Sequence, residues 1–396
     1  MDGRRPSAES SPSRQASSRS LIRSGGAVGL TMDDTVAFGE IDPATIADAL
    51  QSAGVAGAGG AGFPSYVKWQ SPEDVSYLLV NHQESEPNYY ADKWLARNRA
   101  AEFASFFEAL LNDVFDVIVV GTKERYRGVW TDELESALEP TVYEAADLPV
   151  DATTERGVVL VYTPNVYTYS EESVLLMVCA GVQIGDDLPT DHGWIVHNTE
   201  SLYNALQAIR RETPVTRKFV HVDGELPRHR CLDVPIGTPA TVLLEAAGLD
   251  SGEVGDDRVL ADGGPGWCYE IHERPAAFGV RKRTNAVLVL DRDIATDGVQ
   301  DGGYIDVLDA YDWEGGGHET EPTAIHPDMV RIPLLTNAAY EGFVRPSQPT
   351  VETGQRVLVG DVIAAPDPEG LSNAQHASID GEVVDLTETH VVIERR

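Results

Sequence analysis

Four glycines, Gly57, Gly59, Gly60 and Gly62, fall within six residues of the run GAGGAGFPSYVKW, Gly57 to Trp69. Glycine has no Cβ, so such a run brings backbone close to a flat or charged ligand and reaches φ > 0 where a turn requires it. Pro64 suits the first turn of a helix, where its missing N–H costs nothing. A helix start here, with Lys68 one turn on, would offer free N–H groups and a cation to a phosphate-bearing cofactor. The spacing Gly57, Gly59, Gly62 also fits the G-x-G-x-x-G dinucleotide fingerprint, a pattern that glycine turns of no function match as well.

The 396 residues are enough for two to three domains. Carboxylates number 64 against 30 basic residues, a net charge of −34 that repels phosphate backbones and anionic lipid and argues against nucleic-acid or membrane-surface partners. Lysine occurs only at 68, 93, 123, 218 and 282, and this balance is similar to that of proteins from salt-loving organisms. Most of the acidity then reads as a solvated surface whose self-repulsion salt relieves. Cys179, Cys231 and Cys268 are far apart, which disfavours disulfides, a cysteine zinc site or a four-cysteine cluster. The histidines are scattered, the nearest pairs lack metal-site context, and no metal site is expected. No apolar run is long enough to span a bilayer, and a cytoplasmic location is expected. Residues 1–40 read as a disordered extension, serine- and arginine-rich over its first 31 residues, with Met32 as an alternative start.

Beyond the glycines the chain alternates strand and helix signals, as an α/β domain does. Strands are predicted at Val75–Val80, Asp116–Val120 and Gly157–Tyr162, and a helix over Glu102–Leu111. Ser170 is expected to cap a helix to about Ala180, with Glu171 and Glu172 in its first turn, and Asn198 to open another to about Arg211. A second unit has strands at Lys218–Asp223 and Asn285–Leu290 and a short helix from Thr238 and Pro239. Ile294 to about Thr323 reads as an acidic linker or lid. Gly354, Gly360, Gly370 and Gly381 punctuate short strands in the tail, suggesting a small all-β barrel or sandwich.

The first strand delivers NHQESEP, Asn81 to Pro87. GAGGAGFPxxxKW followed by NxxESEP strongly resembles the flavin-bearing subunit of respiratory complex I. It also resembles that subunit's relatives, the C subunit of Rnf-type electron-transport complexes and the cobalamin reductase of propanediol-utilisation compartments. Tyr167 with Glu171 and Glu172 resembles the family's YxxGEE segment, and Asn198 to Leu202 its NVETL segment. Asp233 to Pro239 and Asp262 to Pro265 look like the family's soluble-ligand-binding β-grasp (SLBB) module, and the tail resembles a lipoyl-like barrel-sandwich hybrid. The resemblance thus implies five segments: the extension 1–40, an α/β Rossmann-like FMN/NADH-binding domain at 41–213, an SLBB domain at 214–293, an acidic linker at 294–329 and the barrel-sandwich hybrid at 330–396.

It further implies that Gly57, Gly59, Gly60 and Gly62 line a flavin and nucleotide cleft and that Lys68 reaches flavin mononucleotide (FMN). Asn81, Glu84 and Ser85 would bond its ring or ribityl groups, Tyr167, Glu171 and Glu172 would close the other wall, and Asn198 and Ser201 would meet the phosphate. Phe63 would stack on the nicotinamide nucleotide, and Glu84 and Glu172 are the candidate catalytic carboxylates. The implied activity is flavin-dependent NAD(P)H:acceptor oxidoreduction, with NADH as hydride donor and electrons passing to a partner protein or small acceptor, as in a subunit of a larger redox complex. Gln83 stands where the complex I subunit has aspartate, and Ser170 where it has glycine. The second and third nucleotide-clamping aromatics have no counterpart, and the acidic stretch lacks the cysteines of the relatives' ferredoxin-like insert, so no iron–sulfur cluster is expected. These departures support an alternative, an assembly or ligand-binding paralogue without electron transfer.

Overall fold

The computed structural model describes residues 41–249, 254–314, 318–337 and 343–396. The expected extension 1–40, Met32 included, lies outside the described residues.

Helix α1 (Pro43–Ala53) starts at Asp42, whose side chain accepts the Ala44 N–H, and ends at Gly54 in the left-handed conformation. The first sheet contains β1 (Tyr77–His82), β2 (Val117–Lys123), β3 (Thr141–Tyr143), β4 (Gly157–Thr163) and β5 (Trp194–Asn198), in the order β3-β4-β2-β1-β5, all parallel. Its apolar runs are buried on both faces, as a parallel sheet between helices requires. Helices α2 (Ala91–Asn98), α3 (Ala100–Asp113), α4 (Asp132–Leu138) and α6 (Thr199–Arg211) cover one face together with α1, and α5 (Glu172–Ala180) covers the other. Strand β1 begins two residues later than predicted, because the Ser76 and Tyr77 N–H groups are held by the Gly193 carbonyl. It runs on to His82, and its penultimate residue, Asn81, lies directly opposite Asn198 on β5.

The second unit is a mixed sheet of six strands, β11-β7-β6-β10-β8-β9, from β6 (Arg217–Gly224), β7 (Arg230–Pro235), β8 (Arg258–Gly264), β9 (Trp267–Glu270), β10 (Ala286–Asp291) and β11 (Thr323–Ala324). Helix α7 (Ala240–Ala246) packs on one face. Part of the expected linker covers the other: α8 (Arg292–Asp297), Ile305, Val307 and Trp313 form a buried cluster with Cys268, and β11 pairs with β7. These residues are therefore not a free connector, because their apolar side chains find the outer face of the sheet. In the tail, β12 (Met329–Pro333), β14 (Arg356–Val357), β17 (Gly381–Leu386) and β18 (His390–Glu394) form one antiparallel sheet. A second contains β13 (Gln348–Pro349), β15 (Val362–Ala365) and β16 (Gln375–His376), and one apolar core fills the tail.

The three units meet at Gly54, whose carbonyl accepts a hydrogen bond from Lys282 Nζ at 2.8 Å; Lys282 also reaches the Ala374 carbonyl at 3.0 Å. A Cβ on Gly54 would lie 2.4 Å from that Ala374 oxygen.

Candidate functional site

A cavity of about 510 Å³ lies beyond the carboxyl ends of β1 and β5, the edge at which open α/β sheets bind ligands. Its size is within the usual small-molecule range of roughly 300–1,000 Å³. Gly57, Gly59, Phe63, Lys68, Asn81, Glu171, Glu172, Asn198 and Ser201 all line it, so four separate sequence segments converge there.

The glycine loop is not a Rossmann turn. It follows helix α1, where the dinucleotide fold has a strand, and it closes on itself through Gly57 N–H to the Phe63 carbonyl and Gly62 N–H to the Gly57 carbonyl, both 2.9 Å. Nor does Pro64 open an α-helix; it precedes a five-residue 3-10 turn, Ser65–Trp69, too short to gather a helix dipole. The loop leans instead on the start of α6. The Ala58 N–H donates to Ser201 Oγ at 2.8 Å, and a Cβ on Gly59 would sit 3.1 Å from Asn198 Nδ2. Gly60 has open space around it, whereas Gly62 faces Asn337, Thr336 and Arg283 of the other units, away from the cavity.

Asn198 caps α6 as expected: its Oδ1 accepts from the Ser201 N–H at 3.2 Å and from the Ser201 hydroxyl. Its Nδ2 is buried without a partner among the described residues. The N–H groups of Gly59, Gly60 and Ala61 likewise have no acceptor among the described residues. Lys68 Nζ reaches Glu172 Oε2 at 2.6 Å and the Val196 carbonyl at 2.8 Å. A buried, unpaired amide donor, the free N–H groups of the lining residues Gly59 and Ala61 and a lysine form a donor set that fits the phosphate and polar arm of FMN. Ile184, Leu188 and Pro189 add apolar wall, a contribution that sequence motifs do not single out although apolar residues dot that loop.

The cap of α5 is a correction. Glu171, and not Ser170, accepts the Ser173 and Val174 N–H groups, each at 3.0 Å. The Ser170 hydroxyl is engaged by Ser85 Oγ, which also contacts the Tyr167 carbonyl, while the Ser170 carbonyl accepts from Asn81 Nδ2 at 2.6 Å. Gln83 is buried and donates to Thr163 Oγ1 at 3.0 Å, so its neutral amide joins the ends of β1 and β4 without entering the cavity.

Glu84, Ser85 and Tyr167 do not line this cavity. Glu84 has φ of 26°, and its carbonyl accepts from Lys123 Nζ at 2.8 Å. Ser85 and Tyr167 line a second cavity of about 370 Å³ with Lys123, Arg125 and Trp313. Glu86, to which the motifs assign no role, joins two units: Oε1 accepts from Tyr167 Oη at 2.6 Å and Oε2 from the Gly266 N–H at 3.0 Å. Burial raises both the Glu84 and the Glu86 carboxyl to about 7. A Cβ on Gly264 would meet Glu86 Cγ at 2.1 Å, so the β8–β9 hairpin fits here only because it is glycine-rich.

Residues 50–207 match the family model of the Nuo51 FMN-binding domain. The chain is 31% identical over 258 residues to cobalamin reductase PduS of Citrobacter freundii, covering 64% of this chain and 51% of that protein. It is 30% identical over 227 residues to the C subunit of the ion-translocating oxidoreductase complex of Pseudomonas aeruginosa, covering 56% of this chain and 27% of that protein. A solved NAD+-reducing [NiFe]-hydrogenase chain aligns with a TM-score of 0.49 and 21% identity, over 64% of this chain and 48% of that one. The chain thus spans about half the length, or less, of the curated relatives it matches. Residues 50–207 are a domain of the Nuo51 FMN-binding family, in a chain homologous to the PduS cobalamin reductases and the C subunits of ion-translocating oxidoreductases.

Proposed function

We propose that the 510 Å³ cavity binds FMN and that the chain is a flavin-dependent oxidoreductase, taking hydride from a reduced nicotinamide nucleotide and passing electrons to a separate carrier. The observation that carries this reading is the convergence of Lys68, Asn81, Glu172 and Asn198 on one cavity beside unpaired donors. FMN, when bound, would supply two-electron acceptance and one-electron release. Lys68, Asn198 Nδ2 and the loop N–H groups would hold its anionic arm, and Phe63 at the rim would stack on the nucleotide. Asn81 and Glu172 would orient the ring, Glu172 with its charge partly neutralised by Lys68. Glu84 would act through its backbone, since its carboxyl group lies outside the cavity.

The second unit would be an SLBB module and the tail a lipoyl-like barrel-sandwich hybrid. Cys179, Cys231 and Cys268 are each buried, and the electrons would leave to a docked protein or a small acceptor. No helix among the described residues is long and apolar enough to cross a membrane. Protein purified in high salt should bind FMN and its flavin absorbance should bleach rapidly with NADH under anaerobic conditions. Absence of FMN binding would overturn the reading; binding without bleaching would favour the ligand-binding paralogue.

A further inference from the structure

Far from the cavity in sequence, three side chains meet that no spacing rule connects. His221 and Asp223 lie two residues apart on β6 and so share a face. The β6–β7 hairpin returns His229 to their side, and His318 arrives from the stretch before β11. One ligand atom from each of Asp223, His229 and His318 lies within 4.8 Å of the others. We propose that these three residues bind one divalent first-row transition ion of the zinc class.

The geometry suits it. Two donors on a tetrahedral zinc, each about 2.0–2.1 Å from the ion, are about 3.4 Å apart. Asp223 Oδ2 and His318 Nε2 are 3.3 Å apart. The other carboxylate oxygen of Asp223 is fixed by the Gly224 N–H at 2.8 Å, and Asn88 Nδ2 steadies Oδ2 at 3.1 Å. His229 is held on both sides, with its Nδ1 3.0 Å from the Glu319 N–H and its Nε2 3.1 Å from His221 Nδ1. Because Nδ1 accepts the Glu319 N–H, the neutral ring carries its proton on Nε2; ligation through Nε2 takes the other tautomer and releases both contacts, so His229 makes the largest adjustment. Two buried polar atoms in this group, His318 Nδ1 and Asn88 Oδ1, lack partners among the described residues, as in a polar network with a component missing. Two imidazoles and one carboxylate favour zinc, cobalt or ferrous iron over magnesium or calcium, which prefer oxygen. The ion would fasten the 318–324 segment to the hairpin, beside the Asn88–Tyr90 turn that follows ESEP.

The test uses the full chain, stripped with EDTA and titrated in high salt with Co²⁺, with Zn²⁺ as competitor. One equivalent of Co²⁺ should bind with visible ligand-field bands and no thiolate charge transfer, and Zn²⁺ should displace it. Asp223→Asn, which keeps the side-chain shape, and His318→Ala should each weaken Co²⁺ binding at least about 100-fold, more than the loss typical of supporting residues. His192→Ala should bind as the parent does. Zn²⁺ should raise the melting temperature of the parent and not of D223N or H318A, a readout independent of flavin. A parent that binds no stoichiometric Co²⁺, or D223N and H318A that bind it undiminished, would overturn the site.

Discussion

Lys68 Nζ stands 2.6 Å from Glu172 Oε2, a bridge that joins the glycine-loop side of the cavity to the start of α5. The two side chains are 22% and 38% exposed, so the pair is weak enough to open for an entering ligand. Replacing Lys68 by Met should lower FMN affinity about 10- to 100-fold, the loss of one charge-assisted hydrogen bond of about 1.5–3 kcal/mol. Quenching of FMN fluorescence measures it, and the melting temperature should change little.

Asn198 separates two roles within one side chain. Asn198→Ala removes the cap of α6 and should cost about 1 kcal/mol, a fall of a few degrees in melting temperature. Asn198→Asp keeps the cap but loses the unpaired Nδ2 donor and adds a negative charge. It should melt like the parent and yet bind FMN at least about tenfold more weakly, by the same hydrogen-bond arithmetic.

Glu86 should be visible in the pH dependence of stability. Its folded-state carboxyl is raised from 4.5 to about 7, chiefly by burial, so between these values the folded protein binds more protons than the unfolded chain. Its contribution is then fully present below pH 4.5 and is lost as pH rises through 7. Glu86→Gln should flatten the slope of unfolding free energy across that window, as read by denaturant titration in high salt. Glu84, raised to the same region, should leave a residual slope.

Gly54→Ala should destabilise the chain by about 2 kcal/mol or more. Its φ is 70°, and the added methyl would collide with the Ala374 carbonyl, a backbone atom that cannot rotate away. Thermal melting checks this; Gly60→Ala, also at positive φ but in open space, should cost less.

Some of this architecture is legible in the sequence and some is not, for physical reasons. Asn198 can be placed because capping is a local contract between a side chain and the next three residues. The cap of α5 cannot. Ser170 and Glu171 are both able acceptors, and what decides between them is Ser85, a residue on another strand's exit that engages the Ser170 hydroxyl. The order of NHQESEP does not reveal that the backbone turns at Glu84 with φ of 26°, which separates Asn81 in the cavity from Ser85 beside the second one. The stretch after Ile294 reads as a linker because its charge is conspicuous, while Ile305, Val307 and Trp313, irregularly spaced, carry its packing. His229 and His318 are 89 residues apart and meet only through a hairpin and a returning segment, so spacing cannot pair them.

The Glu86 carboxylate has consequences for how this polypeptide can be divided. Two of its hydrogen-bond donors come from different units, the Tyr167 phenol on one side and the Gly266 amide on the other. An engineer who cuts after residue 213 to obtain a minimal flavin module would strip one donor from a buried acid and remove the hairpin that covers it. Because that hairpin is built into the second sheet through β8 and β10, fusions or domain exchanges should carry the first sheet and the whole second unit together.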